Sequence, residues 1–585
     1  MLDRTLLSGN EAVARGAWEA GAEVGLGYPG TPSTEVLEAF AKMPGVRAEW
    51  SPNEKVALEV AAGVSLGGAR SLVTMKHVGL NVAADPLFTL AYTGVTGGLV
   101  LLVADDPGMH SSQNEQDTRN YAAFARVPLL EPADSQEALE FTRRAFEISE
   151  RFDTPVIVRS TIRISHSKGL VELGEGVEQA RAAYESRPAK YVMLPGNAKK
   201  RRVDLDLRLD ALTEYAEDLD LNRMEMVETS LGVICAGVTY EYVREALPDA
   251  SVLKLAQLYP LPERLIREFA SRVERLAVVE ELDPYLTSNM RRMGLAMEEP
   301  PLPRMGEYTP RMIAEAFGAA PLPLREAFED LPPRPPMLCP GCPHRGVFYL
   351  LREMGAVVTG DIGCYTLGAL PPLSTMDSCV CMGASIGMAH GLELAGGAGD
   401  RPVVAVIGDS TFAHSGLTGL MNAVYNGSRT TTVILDNRIT AMTGHQDNPF
   451  TGRTLMGEPA PEMDVEAVCR GLGVEQVTVI DPLNLKRTKR ALREAIEHDG
   501  PSVVVARRPC ALLVKNDKPP MAVKTDECTA CGVCIGLGCP ALSKARSGKA
   551  VIDATLCVGC AQCAAVCGYR AIAVGAPACE AGETL

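Results

Sequence analysis

Eight cysteines near the end of the chain stand in two runs, Cys528-x2-Cys531-x2-Cys534-x4-Cys539-Pro and Cys557-x2-Cys560-x2-Cys563-x3-Cys567. Thiolates stepping along tight turns in this rhythm suit an inorganic cluster, with iron–sulfur cubanes and zinc as the candidates. Consecutive CxxC steps with a proline-tagged fourth cysteine favour the cubane over a pair of all-cysteine zinc sites, and Pro540 keeps the chain from continuing straight on after Cys539. The first run carries one residue more than the second before its last cysteine ("IGLG"), which calls for a glycine-assisted bulge.

A second constellation lies upstream. "GDSTFAHSGLTGLMNAVYNGSRTTTVILDN" opens at Gly408 after an apolar run and closes on Asn437 at the end of the next. This resembles the thiamine-diphosphate motif, with Ser410 where a glycine is usual. Asp409 and Asn437 offer hard oxygens to Mg²⁺, and the resemblance adds the backbone carbonyl of Ile439 as a further ligand. A helix after Ser415 would turn its N-terminus toward the phosphates. The bland alternative is an aspartate-bearing turn between strand and helix; the second anchor at the motif's spacing speaks against it.

A third stretch, "GLGYPGTPSTE", has the Gly25-x-Gly27-x-x-Gly30 spacing of a dinucleotide-binding turn. Pro29 and Pro32 argue against that use, because they flank the glycine that should lie inside the first helical turn. Thr31 is expected as N-cap and Pro32 as first helical residue instead. Further on, Glu54 opens a helix after "VRAEW", and Glu59 lies one turn later. A carboxyl at the aminopyrimidine of thiamine diphosphate does acid–base work through the cofactor. Glu54 is the first choice, Glu59 the rival, and a solvated first-turn glutamate the plain alternative.

Alternating apolar strands and helical patterns must position these groups. They predict an α/β chain of several domains. The boundaries are a doubly wound, pyrimidine-binding domain over 1–165, a linker and helix over 166–228, and a small α/β domain over 229–320. Pro-rich "PLPLREAFEDLPPRPP" leads to a second doubly wound, diphosphate-binding domain over 337–513 and a cysteine-rich ferredoxin-like domain over 518–585. Hydrophobic residues make up 46 % and charged residues 22 % of 585, as in an ordinary globular chain. A net charge of −16 discourages nucleic-acid or anionic-membrane binding. No apolar run reaches membrane-spanning length, the first residues lack a leader's apolar core, and clustered cysteines outside a secreted context read as metal ligation. A cytoplasmic protein is expected.

Together these features resemble the 2-oxoacid:ferredoxin oxidoreductases, and among them the large subunits of the indolepyruvate enzymes. "YPGTPSTE", "DDPGMHSSQNEQDTR", "LCPGCPHRG", "GDIGCYTLG" and "TAMTGHQDNP" carry the likeness over nearly the whole chain. The tail is similar to two-cluster bacterial ferredoxins, in which the fourth cysteine of each run serves the other cluster. That implies Cys528, Cys531, Cys534 and Cys567 on one 4Fe–4S cluster, and Cys557, Cys560, Cys563 and Cys539 on the second. The resemblance implies oxidative decarboxylation of an arylpyruvate with coenzyme A, electrons leaving singly to ferredoxin. It makes Gly30 and Glu54 cofactor contacts along with Gly408, Asp409, Ser410, Asn437 and Ile439. Thr31 would touch the cofactor or the substrate carboxylate, and His77, His110, Gln113, His344 and His445 stand in matching loops where they would orient substrate or shuttle protons, with Glu54, Thr31 and His77 as the catalytic residues. It also implies a smaller second subunit and a dimer of heterodimers. A pyruvate or 2-oxoglutarate enzyme, a non-oxidative thiamine decarboxylase or ligase, and a non-catalytic electron-transfer module are the alternatives.

Cys339, Cys342, Cys364 and Cys510 are the counterparts of a proximal third cluster in related oxidoreductases. Cys379 and Cys381 are rival ligands, expected to enter an apolar helix and serve as core.

Overall fold

Strand Leu99–Asp105 is buried along its whole length, the mark of a strand covered on both faces by helices. It is the centre of a seven-stranded sheet in a computed structural model that describes residues 4–177, 184–320, 331–332, 335–514 and 518–575. The chain falls into two units, Met1–Ala327 and Phe328–Leu585.

In the first unit, Val156–Thr161 and Ser71–Lys76 flank the central strand in parallel, and Val24–Gly27 and Arg47–Trp50 follow on one side. The carboxyl ends of Val24–Gly27, Ser71–Lys76 and Leu99–Asp105 therefore share one edge, where an open α/β sheet gathers ligands. Helix Glu54–Leu66 is started by Asn53, whose side chain accepts from Val56 N at 2.9 Å. Helix Ser135–Arg151 is started in the same way by Asp134.

Two expectations about this unit change. Strand Lys168–Glu172 pairs antiparallel with Arg4–Ser8, so the first layer runs past residue 165. Within 166–228 the helix is Pro195–Glu217, fixed by Arg201 and Arg208 to Asp153 and to the carbonyls of Tyr92, Thr93 and Ala91. The small sheet (Leu276–Val279, Glu228–Ala236, Ala250–Leu255, Arg223–Glu225) is not self-contained. Its neighbour Gln257–Tyr259 crosses to pair antiparallel with Leu129–Leu130 of the large sheet. Buried Arg119 reinforces the join, bonding Asp117, Glu280 and the carbonyls of Glu281 and Asp283. Most of the Pro-rich boundary, residues 321–330, 333 and 334, lies outside the described residues.

The second unit is built on a five-stranded parallel sheet ordered Val357–Thr359, Val403–Gly408, Thr431–Asp436, Ser502–Arg507 and Gln476–Ile480. Its last residues form two short antiparallel pairs, Met521–Val523 with Ile572–Val574 and Leu542–Lys544 with Ala550–Ile552. Among the described residues no helix is long and apolar enough to cross a membrane.

Candidate active site and cysteine centres

In the second unit, Gly408 and Leu435 are register partners on adjacent parallel strands, so Asp409 and Asn437 leave neighbouring carboxyl ends. The ring of Tyr365 covers Gly408 so closely that a Cβ there would come within 2.7 Å of Cε1. Asp409 is buried, with Oδ1 accepting from Ser410 N at 2.6 Å and Oδ2 from Arg438 N at 2.8 Å. Burial and the neighbouring Asp436 push its carboxyl up to about 7. Asp436 is matched by Arg507 at 2.7 Å and Arg438 at 3.2 Å, whereas the hydrogen bonds to Asp409 come from backbone amides. A buried carboxylate held in that way fits a divalent cation, whose charge would restore its ionisation. Asn437 Oδ1 lies 3.4 Å from Ile439 N, and Ser410 Oγ accepts from Thr440 Oγ1 at 2.9 Å.

The helix expected after Ser415 begins six residues earlier, at Asp409. It runs through a π turn over Phe412–Gly416 into Leu417–Tyr425. Ser410 therefore sits in a first helical turn and not in a β-turn. The helix also carries His414, buried and 2.7 Å from Ser415 Oγ, which the motif did not single out.

Beside this turn the structure gathers the four distant cysteines. Cys510 N donates to Asn437 O at 3.0 Å, and Cys364 directly precedes the Tyr365 that covers Gly408. Burial, followed by the thiols of Cys510 and Cys339, pushes Cys364 up to about 11. Burial pushes Cys342 up to about 12, with Cys339 and Cys364 again among its charged neighbours. Cys379 and Cys381 are exposed, which corrects their reading as core: they lie in the loop before helix Ala384–Ala395. His344 is buried edge-on to Tyr365 at 6.0 Å and is depressed to about 4 by burial, so its ring is neutral at pH 7. His445 Nε2 lies 3.9 Å from Cys510 Sγ.

The tail cysteines line two separate cavities. Cys528, Cys531, Cys534 and Cys567 surround one. Cys539, Cys557, Cys560 and Cys563 surround the other, together with Pro340, Gly341 and Arg345 from the Cys339–Cys342 loop. The extra residue before Cys539 is absorbed by a 3-10 turn, Ile535–Leu537, closed by Gly538 at φ +67°. Buried Arg345 ties loop and tail together, donating to Leu537 O at 2.7 Å, Leu338 O at 2.6 Å and Cys339 O at 3.0 Å. Among the described residues no three His, Cys, Asp or Glu side chains close on a point as a single ion requires. A cubane spreads its thiolates over four irons and does not need that closure.

In the first unit, Thr31 is not an N-cap. The helix starts at Thr34, whose hydroxyl accepts from Gly30 N at 2.9 Å, and Pro32 stays in the turn with its carbonyl held by Asn10 Nδ2 at 2.7 Å. The spacing Gly25-x-Gly27-x-x-Gly30 serves packing: a Cβ on Gly25 would meet the Phe40 ring at 2.6 Å. Glu54 is buried against Gly79, whereas Glu59 is exposed and paired with Lys55. His77 is buried, its Nε2 3.1 Å from Asn114 O, and burial lowers its pKa. His110 is exposed, 3.0 Å from Glu307, and Gln113 is exposed. Sequence reasoning passed over Lys76, which ends strand Ser71–Lys76 at this edge and is buried beside Gly30. A lysine closing the strand "SLVTMK" was the available signal.

Two family models match: "Pyruvate flavodoxin/ferredoxin oxidoreductase, thiamine diP-bdg" over residues 15–202, and "Thiamine pyrophosphate enzyme, C-terminal TPP binding domain" over 361–506. The chain is 44 % identical to the indolepyruvate oxidoreductase subunit IorA of Archaeoglobus fulgidus, over 97 % of both chains. It is 42 % identical to that of Pyrococcus abyssi over 97 % of this chain and 96 % of the other. The 2-oxoglutarate synthase subunit KorA of Archaeoglobus fulgidus is 27 % identical over 48 % of this chain and 89 % of its own. With full-length identity of that depth, the chain belongs to the indolepyruvate oxidoreductase IorA subunits, within the thiamine-diphosphate-dependent 2-oxoacid:ferredoxin oxidoreductases.

Proposed function

We propose that the chain is the catalytic large subunit of an enzyme that oxidatively decarboxylates arylpyruvates, indolepyruvate among them. Coenzyme A takes the acyl group as arylacetyl-CoA, CO2 leaves, and two electrons pass to ferredoxin. One observation carries the reading: full-length identity to indolepyruvate oxidoreductase subunits in a chain that has Glu54, Asp409, Asn437 and the eight tail cysteines.

In this reading Asp409, Asn437 and the carbonyl of Ile439 hold Mg²⁺, while Gly408 and Ser410 let the backbone close on the diphosphate. Glu54 hydrogen-bonds the aminopyrimidine, with Gly30 leaving room beside it, and Thr31 and His77 face the reacting end. When bound, thiamine diphosphate supplies the electron sink for decarboxylation, and ferredoxin-type clusters take single electrons at about −400 mV. Two 4Fe–4S clusters sit on the tail quartets in a ferredoxin-like domain. Cys339, Cys342, Cys364 and Cys510 would hold a third, which would supply a one-electron relay toward the tail; the contacts of Arg345 with both Leu537 and Cys339 support that placement. The reading takes the domains in the order pyrimidine-binding, small, diphosphate-binding and ferredoxin-like, with the small one joined to the first. A smaller subunit completes a dimer of heterodimers in the cytoplasm, where thiols stay reduced.

Dye reduction by the chain purified with its partner subunit, on a panel of 2-oxoacids, tests the substrate class. Indolepyruvate and phenylpyruvate should give the highest kcat/KM. A preference for pyruvate or 2-oxoglutarate would move the enzyme to another branch of the family.

A further inference from the structure

Lys76 is nine-tenths buried at the carboxyl end of strand Ser71–Lys76. Its stem runs past Gly30, where an added Cβ would lie 3.3 Å from Cγ and Cδ. Its Nζ donates to Ser111 O at 2.9 Å, and the hydroxyl of the same Ser111 donates to Thr31 O at 3.1 Å. Two of its three N–H donors have no partner among the described residues. Asp106 is near enough to act on the charge, but its carboxylate is occupied by His110 N at 3.2 Å, Ser111 N at 2.8 Å and Ser112 Oγ at 2.6 Å. Glu54, on the adjoining helix, also acts on it, and His77 follows it in the chain.

Another buried lysine of the same unit shows what a structural one looks like. Lys254 is ion-paired with Glu137 and lies over Phe141 at 4.8 Å and Tyr240 at 5.9 Å. Lys76 has neither a paired carboxylate nor an aromatic cage. An ammonium taken out of water with two donors unused is costly unless something arrives to use them. Anionic oxygens such as those of a carboxylate use such free ammonium donors through charge-assisted hydrogen bonds.

We propose that the Lys76 ammonium receives the carboxylate of the 2-oxoacid substrate and so selects acids over the corresponding neutral molecules. The inference rests on the arylpyruvate reading above and adds a residue to it. The chain carries −16 overall, so an anionic substrate needs a local cation to enter. Burial draws the Lys76 ammonium down to about 8. The receptor is therefore charged at neutral pH and lost above that value.

The test titrates the holoenzyme with indole-3-propionate, an inert aryl carboxylate, and with the matching indole-3-propionamide. At pH 7 the wild type should bind the acid at least about tenfold more tightly than the amide, about one pKa unit's worth of free energy, and the preference should fade by about pH 9.5. Lys76→Met should lose the preference while keeping the wild-type affinity for the amide, which shows that the site is still folded. Lys76→Arg should keep the preference at the higher pH, because a guanidinium stays charged. A Lys76→Met enzyme that still prefers the acid, or a wild-type preference that is flat across pH, overturns the assignment. If the wild type binds acid and amide alike, Lys76 alone is wrong. If it binds neither, the arylpyruvate reading falls and takes this proposal with it.

Discussion

Glu54 and Gly79 are fitted to one another: a Cβ on Gly79 would lie 2.6 Å from Glu54 Oε1 and 2.7 Å from its Cγ. The absent side chain fixes where the buried carboxyl stands. Glu54→Gln should bind thiamine diphosphate but lose most turnover, since an amide cannot take part in the tautomeric proton shift. Gly79→Ala should imitate it, with kcat falling by about 1–2 orders of magnitude, each tenfold being about 1.4 kcal/mol of barrier. Steady-state kinetics with cofactor content measured in parallel checks both. If Glu59→Gln is the inactive variant and Glu54→Gln is not, the wrong carboxylate has been chosen.

Asp409→Ala or Asn437→Ala should abolish cofactor retention through gel filtration while leaving the iron content intact. The two side chains leave adjacent strand ends, and removing either oxygen opens the cation's coordination shell. A variant that keeps thiamine diphosphate as tightly as the wild type contradicts the Mg²⁺ assignment.

Three four-iron clusters correspond to about 12 iron atoms per chain. Cys510→Ala should remove about a third of them and should spare the tail, because Cys510 lines neither tail cavity. About 8 irons in fully reconstituted wild type would mean that electrons enter the tail quartets directly.

Glu281 is buried and pushed up to about 7 by that burial, with Oε1 accepting from Tyr308 N at 2.7 Å. Its folded pKa lies above the unfolded value, so the stability it contributes is complete below the unfolded pKa and is lost as pH rises through about 7. Glu281→Gln keeps the acceptor and cannot ionise. It should match the wild type at pH 5 and exceed it at pH 8 by up to about 3 kcal/mol, read from urea denaturation at the two values. Equal curves at pH 8 would show that Glu281 ionises without strain.

The parts that depend on local chemistry were legible in the sequence. Apolar runs such as "LVLLVAD" and "VVAVIG" became central strands, and the two cysteine runs, legible in their spacing, line two cavities. The failures have separate causes. Thr31 has an N-cap's chemistry, but the Thr34 hydroxyl takes Gly30 N and moves the helix start. The helix from Asp409 lacks a capping side chain, so nothing marked its early start. Arg345 and strand Gln257–Tyr259 act on partners far along the chain, at Leu537 and Leu129–Leu130. Spacing along the sequence carries no trace of such contacts. Lys76 was visible as a lysine closing a strand, but its burial comes from Gly30 and the Ser111 loop, which the spacing does not show.

The central claim is that decarboxylation here is coupled to thioester formation and to one-electron acceptors. The most direct test follows three products in one reaction, with the chain and its partner subunit, indolepyruvate, coenzyme A and oxidised ferredoxin. The account predicts one CO2, one indoleacetyl-CoA and two reduced ferredoxins per turnover, and little turnover once coenzyme A is omitted. CO2 released at full rate together with free indoleacetaldehyde, with ferredoxin left oxidised, would contradict it.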